Sequence, residues 1–195
     1  MTETSQIHPW QEPVHGQSAV AVDRIAGALP RIARDRIILR APYLEDWPHY
    51  RGIATTQRAV HFDGPMDEDE AWQDFLQMTA SWILRGCGLW AVEVQETGET
   101  VGFVVLNHEA GDPELELGFM FTEEGEGHGY AFEATRAARN NAFYSLNRDT
   151  LVSYIAPAND RAIALAQKLG AAHDEAGDID GCQCWRYPRP EFDYE

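Results

Sequence analysis

The stretch FMFTEEGEGHGYAFEA, residues 119–134, sets glycines at 125, 127 and 129 between an aromatic, strand-like run and an alanine-rich, helix-compatible one. A strand that feeds a glycine loop and then a helix leaves backbone N–H groups exposed at the positive end of a helix dipole. That arrangement suits an anion such as pyrophosphate. Two familiar anion loops are excluded by the spacing. A dinucleotide fingerprint needs G-x-G-x-x-G, but three residues beyond Gly127 and Gly129 stand Tyr130 and Phe132. A P-loop needs a lysine after its last glycine, and Lys168 is the only lysine in the chain.

Outward from the loop, the segments ELELGFMF, TVGFVVLNH and GLWAVEV read as successive strands, the last two joined by the hairpin-like Gln95–Glu99. Before them, DGPMDEDEAWQDFLQMTASWILRG predicts a helix with Asp67 as N-cap, Glu70 completing a capping box and Gly86 as the stop. Trp72, Phe75, Thr79 and Trp82 form a core-facing stripe along it. RIILRAP reads as a strand, and YLEDWPHYRGIAT as a weak helix interrupted by Pro48. After the loop come a helix with Tyr130, Ala134, Ala137, Ala138 and Ala142 on one stripe, the strand TLVSYIAP, and a short helix capped by Asn159. A short strand near Ala171 and the strand CQCWRY close the chain. The expected order is β-α-α-β-β-β-α-β-α-β-β, with residues 1–30 as an N-terminal arm holding a helical turn or two and residues 31–195 as one domain. The arm either packs on a neighbour, as in a homodimer, or is mobile.

The chain of 195 residues has 32 acids against 15 Lys and Arg, a net charge of −17. Residues 1–40 hold five arginines and four acids, which leaves −18 for the rest. Such a surface repels nucleic acid, which needs a basic face, and attracts a cation. No signal-peptide core and no run of eighteen apolar residues is present, so the expectation is a soluble, cytoplasmic protein with no membrane partner. Three cysteines, 87, 182 and 184, make no disulfide framework and no C-x-x-C pair. The histidines show no H-x-x-x-H and the serines no G-x-S-x-G, so neither a metal site nor a serine hydrolase is indicated.

Five segments in order resemble the GNAT superfamily of acyl-CoA-dependent N-acyltransferases, in particular its ribosomal-protein N-acetyltransferase branch. RIILRAPYLEDW is similar to the branch's opening strand and helix, and GLWAVEVQETGETVGFVVL to its central hairpin. ELELGFMF is similar to its E-x-G-aromatic strand, GHGYAFEA to its phosphate loop, and IAPANDRAIALAQKLGA to its P-x-N-x-x-S helix. The resemblance covers about residues 36–187. It implies an α+β fold: a mixed, mainly antiparallel twisted sheet, flanked by helices, whose central strands splay to admit acetyl-CoA. It further implies that the backbone of Phe119, Met120 and Phe121 runs beside the pantetheine arm. The N–H groups of Glu126, Gly127, His128, Gly129, Tyr130 and Ala131 would cradle the pyrophosphate, and Asn159 would contact the cofactor while also capping its helix. No metal is implied.

The same resemblance makes Glu116 the base that deprotonates the acceptor amine, with Glu114 the lesser candidate; the plain alternative is a solvated strand face. The usual acid positions of the family hold Ala162 and Ala166. Three explanations stay open: the thiolate leaves unaided, Tyr154 or Ser153 substitutes, or the domain is an acyl-CoA-binding regulatory module with little turnover. Glu124 stands where the family often has Gln or Arg, and His128 is a candidate compensating cation. By analogy the acceptor walls are residues 43–85 and Asp174–Gly181. Both are acidic, which fits a small cationic amine or a peptide N-terminus.

Overall fold

The computed structural model describes residues 8–62 and 64–191. Residues 1–7 of the expected arm and 192–195 of the expected domain lie outside the described residues. Strands β1 (Ile32–Ala33), β2 (Ile37–Arg40), β3 (Leu89–Val94), β4 (Thr100–Asn107), β5 (Glu116–Phe121), β6 (Val152–Ile155), β7 (Ala172–His173) and β8 (Gln183–Arg186) form one eight-stranded sheet. Its order is β1-β2-β3-β4-β5-β6-β8-β7. Every neighbouring pair is antiparallel except β5 with β6.

Period-two alternation divides the core between the two faces of the sheet. Leu89 and Ala91 of β3 and Phe103 of β4 pack with Trp47, Tyr50 and Ile53 of α2 (Trp47–Ala54) and Ala71 and Phe75 of α3 (Glu68–Arg85). Trp90 and Val92 of β3 and Val104 and Leu106 of β4 point the other way. They meet Ala134, Ala137 and Ala138 of α4 (Tyr130–Asn140), all buried. Methyl side chains there let the helix backbone come close to the sheet. α5 (Asp160–Lys168) adds Ala162 and Ala166 to the same cluster.

The sequence signals act as expected in several places. Asp67 and Glu70 form a reciprocal capping box on α3, with bonds of 2.9 and 3.0 Å. Gly86 ends that helix in the left-handed conformation. Of the α3 stripe, Phe75 and Trp82 are buried and Trp72 is half-buried. Three features differ. Pro48 does not interrupt a helix; it lies in the first turn of α2, where its missing N–H costs nothing. β1 is an added short strand. α1 (Gln17–Ala28) is a twelve-residue helix, longer than the turn or two expected of the arm. The residues before α1 dock on their own chain: Trp10 lies 4.6 Å from Trp72, and the buried Gln11 donates to Glu68 at 3.0 Å.

At the centre of the sheet, β5 and β6 share a single registered pair, Glu116 with Val152. The Val152 N–H bonds to Leu115 O at 3.2 Å, and side chains then replace the ladder. Ser153 Oγ donates to Leu117 O, and the Tyr154 N–H donates to Glu116 Oε1 at 3.1 Å. Two parallel strands that lose main-chain pairing after one rung leave a wedge between them, and this wedge is the splay expected from the sequence.

Candidate functional site

The loop from β5 to α4 owes its path to its glycines. A Cβ on Gly125 would lie 2.4 Å from Val101 O, so only glycine lets the loop pass beneath β4. Gly127 and Gly129 have φ of +78° and +80°, left-handed values that disfavour other residues. The Gly125 N–H is held by Thr122 Oγ1 at 3.1 Å. On the far side, Arg36 fixes the start of the helix. Its Nη1 donates to His128 O at 2.8 Å, its Nε to the buried Glu133 at 2.9 Å, and its guanidinium lies 5.3 Å from the Tyr130 ring centroid.

The first N–H of α4 to find a main-chain acceptor is that of Glu133, which bonds to Gly129 O at 3.2 Å. The amides of Tyr130, Ala131 and Phe132 have no acceptor within the helix, as geometry requires of a first turn. With Gly127 and Gly129 in left-handed conformation just before them, these amides and the helix dipole fit a diphosphate. Glu126 departs from the sequence expectation. Its N–H is committed to Glu123 O at 3.2 Å, and its carboxylate is engaged by Arg58 and by Arg161, the latter at 2.5 Å. Burial pushes the Glu126 carboxyl up, but the bonds from Arg161 and Arg58 outweigh it and hold the group below its usual value. The cations paired with Glu126 are thus these two arginines, whereas His128 is exposed and stacks on Tyr130.

Along β5, Phe119 borders the wedge and Phe121 is buried. The Phe121 carbonyl accepts from Arg58 Nε at 3.2 Å and Nη2 at 2.9 Å. Asn159 caps α5 by accepting from the Ala162 N–H at 3.2 Å, and the residue also borders the wedge. The wedge itself is a cavity of about 60 Å³. It opens beside a second one of about 390 Å³, lined by Tyr50, Asp74 and Met78 from the helices, Met120 from β5 and Cys182 before β8. Glu116, Gly118, Phe119 and Tyr154 border both cavities.

The larger cavity is acidic. Asp74, Glu109, Asp112, Glu116 and Asp180 line it together with His61, and among the described residues its lining includes no lysine or arginine. Asp74 accepts a short hydrogen bond from the buried Tyr50 hydroxyl, and burial raises its carboxyl above the usual 3.8. Burial also pushes the Tyr154 phenol up to about 12, so it stays protonated. Glu114 stands apart from this junction, paired with Arg186 through two bonds of 2.7 Å. Ser153 is buried and bonded to Leu117 O. Among the described residues, no group of three His, Cys, Asp or Glu could hold a metal ion, and no helix is long and apolar enough to cross a membrane.

The expected walls, residues 43–85 and 174–181, both contribute to the larger cavity. The loop after β4, with Glu109 and Asp112, was not anticipated. Nor were Arg58 and Arg161, which meet Glu126 across 68 and 35 residues of sequence with no local pattern to announce them.

Comparison with known proteins supplies the remaining findings. The family model described as acetyltransferase (GNAT) domain matches residues 36–172. YkkB, an uncharacterized protein of Bacillus subtilis (strain 168), is 28% identical over 149 residues, 73% of this chain and 86% of YkkB. The crystal structure of an acetyltransferase from Agrobacterium tumefaciens str. C58 superposes with a TM-score of 0.79 at 36% identity, covering 83% of this chain and 95% of that one. RimL, a ribosomal L7/L12 alpha-N-protein acetyltransferase solved in complex with coenzyme A, is 15% identical with a TM-score of 0.65. It covers 80% of this chain and 97% of its own, a likeness of fold.

Proposed function

This chain belongs to the acetyltransferase (GNAT) family, and on that premise we propose that it transfers the acetyl group of acetyl-CoA to a cationic primary amine seated in the carboxylate-lined cavity. The observation that carries this reading is the junction of the two cavities at Glu116 and Tyr154. One cavity lies in the wedge between β5 and β6, and the other is lined, among the described residues, by five carboxylates and no lysine or arginine. Acetyl-CoA supplies an activated thioester carbonyl. Amides 127–131 hold its diphosphate, the β5 backbone at 119–121 borders its arm, and Asn159 lies at the edge of the same wedge.

An amine attacks only when neutral, so its ammonium proton has to leave. Glu116 takes that proton; its carboxylate is fixed at the cavity junction by the Tyr154 N–H. As the new C–N bond forms and the C–S bond breaks, the nitrogen sheds its second proton to solvent, while the Tyr154 hydroxyl gives a proton to the departing sulfur and is reprotonated from solvent. Held near 12, the phenol keeps its proton at neutral pH and is available as a hydrogen-bond donor to the sulfur. Ala162 and Ala166 carry no hydroxyl and Ser153 Oγ donates to Leu117 O, so on this reading the donor role falls to Tyr154. The remaining carboxylates of the cavity attract the charged acceptor. A small polyamine, an aminosugar or a peptide N-terminus meets this requirement.

Release of free thiol from acetyl-CoA, measured with a panel of these amines, tests the reading. Glu116→Gln is expected to lower kcat by about a hundredfold while acetyl-CoA affinity stays nearly unchanged. An unaltered rate removes Glu116 from its role. Acetyl-CoA binding without thiol release on any amine favours a regulatory module instead.

A further inference from the structure

Glu126 is an anion already seated among cations at the mouth of a loop that fits another anion. Arg58 reaches it from the turn after α2 and Arg161 from the first turn of α5. The two arginines are held differently. Arg58 is anchored independently by its bonds to Phe121 O. Arg161 is 75% exposed, and among the described residues Glu126 is the acid it pairs with. The loop also carries Glu123 and Glu124 next to the amide cradle, so a polyanion approaching this acidic chain needs cations there. Partly exposed ion pairs are weak, and a phosphate group offers the two arginines the same charge-assisted bonds with more acceptor oxygens than the single carboxylate.

We propose that Arg58 and Arg161 form a masked phosphate site beside the amide cradle, in which the Glu126 carboxylate is a built-in competitor that a phosphate group of coenzyme A displaces. Arg58 stays in place through the exchange because Phe121 O holds it. Arg161 swings with its new partner. Displaced from the pair, Glu126 turns to solvent. The proposal rests on the cradle reading of residues 127–131, and its test separates the two.

Calorimetric titration with coenzyme A at fixed ionic strength reads the site directly, without turnover. Glu126→Gln is expected to tighten binding by about fivefold, the size of one such pair. Arg161→Ala, a change at an exposed position, is expected to weaken it by about the same factor. In the double variant the gain from removing Glu126 shrinks. Glu124→Gln is the charge control: Glu124 is exposed and in no ion pair among the described residues, so it is expected to give a smaller gain. Dephospho-coenzyme A places the exchange. A gain from Glu126→Gln that persists with it assigns the site to the diphosphate, and a gain that disappears assigns it to the 3′-phosphate. Equal gains from the 124 and 126 variants, or no gain from Glu126→Gln, overturn the masking proposal and leave the cradle standing. Absence of coenzyme A binding by the parent protein overturns both.

Discussion

At Ala162 and Ala166 the chain presents methyl groups where its resemblance to the family leads one to expect a serine or tyrosine hydroxyl, and both are buried in the core. The hydroxyl nearest in role belongs to Tyr154, on the neighbouring strand and bordering both cavities. Tyr154→Phe is expected to lower kcat by about ten- to a hundredfold with little change in acetyl-CoA affinity; single-turnover thiol release checks it, and an unchanged rate means the thiolate leaves unaided. Residues whose role depends on local pattern were legible in the sequence: Asn159 as a cap, the glycines at 125, 127 and 129 as a loop between strand and helix, Asp67 with Glu70 as a box. Residues whose role depends on tertiary meeting were not. Arg58 and Arg161 reach Glu126 from other elements, and the commitment of the Glu126 amide to Glu123 depends on the exact turn.

Among the elements, the hairpin β3–β4 and its partner β5 carry the loop to its place, and their closeness is enforced by glycine. A Cβ on Gly102 would lie 2.4 Å from the Phe121 ring and 2.6 Å from Met120 O. Gly102→Ala is therefore expected to cost about 1–3 kcal/mol of stability by overpacking, and to weaken coenzyme A binding because β5 leads into the loop. Thermal unfolding and calorimetry check the two effects; a variant as stable as its parent contradicts the packing account. Element identity from β2 to β8 was readable because alternation and caps agree with the tertiary arrangement. α1 was underestimated for a physical reason: none of its residues is fully buried, so no strong apolar period marks its length. Pro48 was read as a break because a proline is ambiguous between the interior of a helix, where it disrupts, and the first turn, where it fits.

For the molecule as a whole, a net charge of −17 makes the few arginines structurally important. Arg186 donates to Glu114 and to Asp174, tying the segment before β5 to β8 and to the residue that follows β7. Its hydrogen bonds hold the Glu114 carboxyl below the usual 4.5. A lowered folded-state value means that this stabilisation is present above pH 4.5 and is lost as the pH falls through the folded value. Glu114→Gln is thus expected to be less stable than the parent at pH 7 by about 1 kcal/mol, with the gap closing on acidification below 4.5. Urea unfolding across that range checks it, and a gap independent of pH removes the ion pair from the account. The single rung between β5 and β6 has a different consequence. It makes the sheet two panels joined along a seam, and the carboxylate of Glu116 is a rivet through that seam, because the Tyr154 N–H has it as partner where a ladder would otherwise run. A glutamine there keeps an oxygen for the rivet and isolates the chemistry, whereas an alanine frees the panels to breathe and mixes lost turnover with a loosened frame.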